Sequence, residues 1–212
     1  VIAIVDYGLG NLASVRNALL KVGAEPFITS DPDVISSAEG VILPGVGAAR
    51  GGMKGLASRG LVNALMETAR AGKPLLGHCL GMQLLFDESE ENGGTGCLGV
   101  LQGKVRRLSG AVKVPHIGWN QVSTNGAEMW NGLARNPYVY FVHSYVCVPR
   151  DRRIIAGTTE YGDSFCSAVV QDNIWGVQFH PERSGTAGLR LMSNFVCLAR
   201  EGTHPAVTAG KK

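Results

Sequence analysis

The chain is short of charge, of paired cysteines and of long apolar runs, and each shortage excludes a class of protein. Charged residues make up 17% of its 212 positions, against about a quarter in ordinary soluble domains. The formal net charge is only +3, and the basic residues are scattered apart from Arg106-Arg107, Arg152-Arg153 and Lys211-Lys212. Nothing here makes a footprint for nucleic acid. No apolar run approaches the roughly 18 residues that a membrane span requires. Residues 1–5 read as a strand leading into the next segment, not as a signal peptide. The five cysteines, Cys79, Cys97, Cys147, Cys166 and Cys197, are odd in number, far apart and free of any C-x-x-C spacing. That argues against a disulfide framework or a zinc site and for a reducing, cytoplasmic setting.

No internal repeat and no dividing linker interrupt the chain, whose length suits one domain with a sizeable core. The first half alternates short apolar runs with helical patterns. Residues 2–5, 25–29 and 41–43 read as strands. Asn11 is placed to cap a helix in which Leu12, Val15, Leu19 and Leu20 share a face. Helical segments are expected over 52–71, broken near Gly60. This alternation predicts a parallel sheet with helices on both faces. From about 100 to 170 the patterns become short and β-rich, at 138–142, 154–156 and 167–170, and are expected as antiparallel additions to the sheet edge. A strand at 174–179 and a helix over 184–200, with Leu189, Met192, Val196 and Ala199 apolar, complete the domain at about residue 201. Residues 202–212 are expected to be a frayed tail.

Chemistry concentrates in two segments. In Leu75-Leu76-Gly77-His78-Cys79-Leu80-Gly81-Met82-Gln83 an apolar run feeds a glycine, and a second glycine follows the cysteine by two. The Gly-x-nucleophile-x-Gly arrangement turns the chain sharply and stands the nucleophile above a sheet. The helix that follows aims N–H groups and its positive end at the sulfur, favouring thiolate over thiol. Far downstream, Gln178-Phe179-His180-Pro181-Glu182 holds its histidine extended, because proline restricts the residue before it. Residues two apart then point the same way, so Glu182 can orient His180. Cys79, His180 and Glu182 make a candidate nucleophile, base and orienter.

With these two segments the chain resembles the class I glutamine amidotransferases. Three further segments, Asp6-Tyr7-Gly8-Leu9-Gly10-Asn11-Leu12, Leu43-Pro44-Gly45-Val46-Gly47 and Pro115-His116-Ile117-Gly118-Trp119-Asn120, are similar to those of the glutaminase subunits of imidazole glycerol phosphate synthases in histidine biosynthesis. The resemblance runs from about residue 2 to 201. It implies a three-layer α/β/α fold with a mostly parallel central sheet. It also implies glutamine hydrolysis through a thioester on Cys79, and ammonia handed to a TIM-barrel cyclase partner. No metal or organic cofactor is called for.

One oxyanion donor is expected at the backbone N–H of Leu80, directly after the nucleophile. The resemblance points to the Val46 N–H for the other; read without it, the segment is better described as an ordinary turn after a strand. It also matches Gln83, Glu91 and the backbone of His143, Ser144 and Tyr145 to positions around the substrate, L-glutamine. Read without it, Gln83 is a polar residue on the elbow helix and Glu91 one acid of a solvated run. Partner-interface candidates by resemblance are Asn11, Pro115, His116, Trp119, Asn120, Tyr140 and Arg183. Trp119 by itself fits a core or an interface equally. Two residues depart from the family pattern: His78 stands where an aliphatic residue is usual, and Arg183 where lysine is common. The rival readings are a glutaminase subunit of another pathway, a stand-alone cysteine hydrolase and an inactive scaffold subunit.

Overall fold

The computed structural model describes residues 1–201; the expected tail, 202–212, lies outside the described residues. The first half runs β1 Ile2–Val5, α1 Leu12–Lys21, β2 Pro26–Thr29, α2 Pro32–Ser37, β3 Gly40–Leu43, α3 Ala49–Ser58, α4 Leu61–Arg70, β4 Leu75–His78 and α5 Leu80–Leu84. The second half adds β5 Glu88–Ser89, β6 Thr95–Gly96, β7 Gly103–Arg107, β8 His116–Gln121, β9 Ser123–Thr124 and β10 Tyr138–His143. It continues with β11 Tyr145–Pro149, β12 Ile155–Tyr161, β13 Asp163–Gln171, β14 Ile174–Val177 and α6 Gly185–Glu201. No helix among the described residues is long and apolar enough to cross a membrane.

Strands β2, β1, β3, β4 and β14 lie side by side and parallel, and β13, β11 and β7 continue the same sheet beyond β14 in antiparallel fashion. The apolar run of β1 shows why helices must cover both faces. Ile2 and Ile4 pack with α1 and α6 through Val15, Leu19, Met192 and Phe195, whereas Ala3 and Val5 pack with α2 to α5 through Ile35, Leu56, Leu65 and Leu80. Successive residues of a strand point to opposite faces, so an all-apolar strand needs a layer on each side.

One expectation needs correcting. Tyr138–His143 does not extend the sheet edge; it pairs with β8 in a separate two-stranded ladder, where alternate residues Val139, Phe141 and His143 are buried. Its partner face is thereby free for the surface. The 167–170 segment lies in β13, which adds antiparallel to β14 at the edge of the parallel strands as expected, and is itself flanked by β12 and β11. The run of consecutive buried residues from Phe165 to Val169 is what an interior strand demands. On α1, Leu20 is exposed and Ala18 takes the buried place expected for it.

The parallel half ends at a single sharp corner between β4 and α5. Cys79 sits there at φ 51 and ψ −108, a left-handed conformation that side-chain-bearing residues rarely adopt. Its N–H bonds Val177 O at 2.8 Å and its carbonyl accepts from Gln83 N at 3.2 Å. A Cβ on Gly81 would lie 1.7 Å from Leu43 O, so only glycine lets α5 pass this close to β3. Gly81→Ala is accordingly expected to destabilise the fold by about 3 kcal/mol or more, the upper end for overpacking. Gly96→Ala, where nothing lies within 4 Å, should stay within about 0.5 kcal/mol. Urea unfolding of the two variants checks this; equal stabilities would contradict it.

Candidate active site

The corner delivers Cys79 to a cavity of about 270 Å³ that His180 also lines. His180 comes from the segment after β14, where Tyr140 O accepts from its backbone N–H at 3.0 Å. Its Nδ1 lies 2.9 Å from Glu182 Oε1. A carboxylate only accepts, so Nδ1 carries the hydrogen and Nε2 is turned to the sulfur. Burial works against charge on this imidazole, but hydrogen bonds with Cys79 and Glu182 outweigh it and hold the pKa up at about 10. Burial likewise opposes ionisation of Glu182, yet the hydrogen bond with His180 keeps its carboxyl below the usual range. The arrangement can hold an imidazolium beside a sulfur and return its proton to a leaving group.

Ser184 fixes the same turn from below. Its hydroxyl donates to His180 O at 2.6 Å and accepts from Tyr140 N at 3.0 Å. A Cβ on Gly188 would fall 1.9 Å from Pro181 O, which is why α6 starts with small residues under the turn.

The expected substrate residues gather in the cavity. Gln83, Glu91, His143, Ser144 and Tyr145 all line it, as does Val46 of the Pro44-Gly45-Val46-Gly47 turn. Glu91 does more than sit in a solvated run: its Oε2 accepts from Ala49 N at 2.9 Å, at the start of α3. Leu80 occupies the first position of α5, directly after Cys79. The part played by Tyr7 is not legible in its own segment, residues 6–12. Tyr7 is fully buried and its hydroxyl donates to Pro44 O at 2.6 Å. A Cβ on Gly45 would come within 2.1 Å of that hydroxyl, so the tyrosine anchors the turn and demands its glycine. Burial pushes the Tyr7 phenol far up, helped by Cys79.

The expected interface residues divide. Trp119 is 55% exposed, which removes the core reading. It meets Tyr140 edge-on with ring centres 6.0 Å apart, and the Arg183 guanidinium lies 4.5 Å over the Tyr140 ring. Ile117 and Tyr138 are exposed on the same ladder. Pro115 and Arg183 reach the cavity itself. Asn11 caps α1, accepting from Ser14 N. Asn120 donates to Glu160 O at 2.9 Å. His116 must be corrected. It is 3% exposed, stacked between Phe141 and Tyr161, with its Nδ1 3.0 Å from His143 Nε2. It braces the ladder from inside and presents no surface to a partner. Burial lowers its pKa and pushes that of His143 down to about 3.

His78 lies behind His180 and Glu182. Its Nδ1 is 3.7 Å from Glu182 Oε2, and neither ring nitrogen nor that oxygen has a hydrogen-bond partner. Full burial drives its pKa to about 4, against the pull of Glu182, so it faces the carboxylate as a neutral ring.

Comparison with known proteins identifies the family. The family model for class-I glutamine amidotransferases matches residues 3–199. The imidazole glycerol phosphate synthase subunit HisH of Moorella thermoacetica is 50% identical over 200 residues, covering 94% of this chain and 95% of the relative. That of Dehalococcoides mccartyi is 50% identical over 199 residues, covering 93% and 97%. Among solved structures, a glutamine amidotransferase superimposes with a TM-score of 0.75 at 21% identity, over 93% of this chain and 98% of that one. On the extent and identity of these matches, the chain belongs to the class-I glutamine amidotransferase family.

Proposed function

We propose that this chain is the glutaminase subunit of an imidazole glycerol phosphate synthase in histidine biosynthesis, with Cys79, His180 and Glu182 as its catalytic residues. The observation that carries the site is the convergence, from segments a hundred residues apart, of the strained Cys79 corner and the carboxylate-bound His180 on one cavity. Cys79 Sγ attacks the side-chain amide carbon of glutamine, and His180 carries the sulfur's proton to the departing nitrogen. Ammonia leaves and a γ-glutamyl thioester remains. A water then gives its proton to His180, attacks the thioester carbon and releases glutamate, returning the sulfur. Negative charge on the amide oxygen is met by the N–H groups of Leu80 and Val46. Glu91 is positioned for the substrate ammonium and the 143–145 backbone for the rest of the amino acid.

Ammonia released into bulk water is protonated and lost to synthesis, so the reading calls for a partner seated over the cavity mouth. Ile117, Trp119 and Tyr138 stand exposed on the ladder whose Val142 lines the cavity, and Arg183 is held at the rim by Tyr140. Large aromatics with a polar handle are the residues that anchor interfaces. A TIM-barrel cyclase carrying its ribotide substrate is the partner proposed, with the ammonia passed straight to it.

Glutamate release from L-glutamine is the direct test, with the chain alone and with the cyclase and its ribotide. Weak activity alone, a large rise with the liganded partner and none for Cys79→Ala are expected. Full activity alone would point instead to a stand-alone hydrolase. Trp119→Ala should keep the circular dichroism and melting temperature of the parent while losing about tenfold or more of the partner-dependent rise; an unaltered rise would remove it from the interface.

The titration of the pair sets a pH signature. His180 has a folded pKa raised to about 10, so its contribution to stability is complete below the unfolded value near 6.5 and lost as pH rises through 10. Glu182 is shifted down, so its contribution is present above its unfolded value and lost in acid. The stability gap between the parent and Glu182→Gln is therefore expected to be widest between about pH 5 and 6.5 and to close toward pH 10. Urea unfolding across that range checks the sign, and a gap that widens toward pH 10 would contradict it.

A further inference from the structure

One buried amide in contact with Cys79 has no part in the reaction as written. We infer that Gln178 is a catalytic group: its side-chain N–H is aimed at Cys79 Sγ and holds the sulfur as thiolate. This rests on Cys79 being the nucleophile.

Gln178 is wholly buried, and its Nε2 lies 3.7 Å from Cys79 Sγ. Its backbone N–H bonds Ser167 O at 2.9 Å, on β13. The preceding Val177 pairs with His78 across the parallel β14–β4 ladder, so the amide is carried beside the corner by the sheet itself.

Which end of the amide faces the sulfur follows from hydrogen-bond logic. Tyr145 O can only accept, so Gln83 must present its Nε2 to it, at 3.1 Å. The same Nε2 lies 3.1 Å from Gln178 Oε1. An amide nitrogen donates, so Gln178 turns its oxygen to Gln83 and its remaining N–H groups to Cys79. Reversing Gln178 alone would set N–H against N–H at Gln83 and an oxygen against the sulfur. A backbone carbonyl thus fixes, through two side-chain amides, a donor at the nucleophile. Gln83 is the positioning residue and Gln178 the group in contact.

The other polar neighbours of the sulfur complete the case. Val142 O, 3.7 Å away, accepts the S–H of the thiol and has nothing to offer the thiolate. When the proton passes from Sγ to His180, that contact is lost. The Gln178 N–H then becomes a charge-assisted donor, stronger than a neutral one. The titratable groups facing Cys79 are His180, with Glu182 behind it, and the buried Tyr7 and Cys147. Glu91 and Arg183 line the same cavity.

The test uses the full chain and does not depend on turnover. The rate of Cys79 alkylation by iodoacetamide is followed against pH by peptide mass spectrometry, for the parent and Gln178→Met. The alkylation curve is expected to move about one pH unit upward, with about tenfold slower labelling at neutral pH. In the presence of cyclase and ribotide, kcat should fall about tenfold while KM for glutamine changes less than about threefold. A folded Gln178→Met that superimposes on the parent in both assays overturns the inference. Should that variant fail to fold, the side-chain amide ¹H–¹⁵N signal of Gln178 in the parent decides. It should titrate together with Cys79 alkylation and stay flat in Cys79→Ala; a flat signal in the parent overturns the inference. Glutaminase activity retained by Cys79→Ala would sink the nucleophile assignment instead, an outcome distinct from either result at Gln178.

Discussion

The corner at Cys79 is the constraint on which the rest of the molecule turns. A residue with a side chain is held at φ 51, a conformation that costs on the order of 1–3 kcal/mol. That strain persists because the surroundings leave no alternative: a 2.8 Å bond from Cys79 N to Val177 O, and Gly81 pressed against Leu43 O. Both strands that hold it, β3 and β14, lie within the parallel half of the sheet, covered by helices on each face. The sheet therefore does more than support the site. It forces one side chain out of its own plane and into the cavity.

Four buried histidines then show how one residue type takes different states a few ångströms apart. His78, His116 and His143 are neutral because burial removes them from water without giving a close carboxylate. His180 is equally enclosed, yet Glu182 Oε1 lies 2.9 Å from its Nδ1 and the sulfur faces its other nitrogen. Desolvation and pairing compete at every one of these rings, and pairing wins only where the partner is within hydrogen-bond distance. The 3.7 Å gap between His78 and Glu182 is too long for that.

Much of this was legible in the sequence where local chemistry decides. The glycines around Cys79, the extended geometry imposed by Pro181 and the cap at Asn11 depend on neighbours within a few residues. So do the strand at 2–5 and the break at Gly60. What sequence could not reveal depends on pairing across the fold. The residues 138–142 read as a strand, but nothing local says that their partner is β8 rather than the sheet edge. His116 sits in a segment that resembles an interface, and only the stacking of Phe141 and Tyr161 on it shows why it turns inward. Tyr7 and Gln178 act on Pro44 and Cys79 from 37 and 99 positions away, so their roles exist only once the sheet is assembled.

The most direct test of the central claim is covalent capture of the nucleophile. The purified chain would be treated with an electrophilic glutamine analogue bearing a chloroketone in place of the side-chain amide, and the adduct mapped by peptide mass spectrometry. The account predicts a single adduct on Cys79, formed far more slowly in His180→Ala, with exposed Cys197 and half-buried Cys97 left unlabelled. Labelling of Cys97 or Cys197, or capture at Cys79 that does not depend on His180, would contradict it.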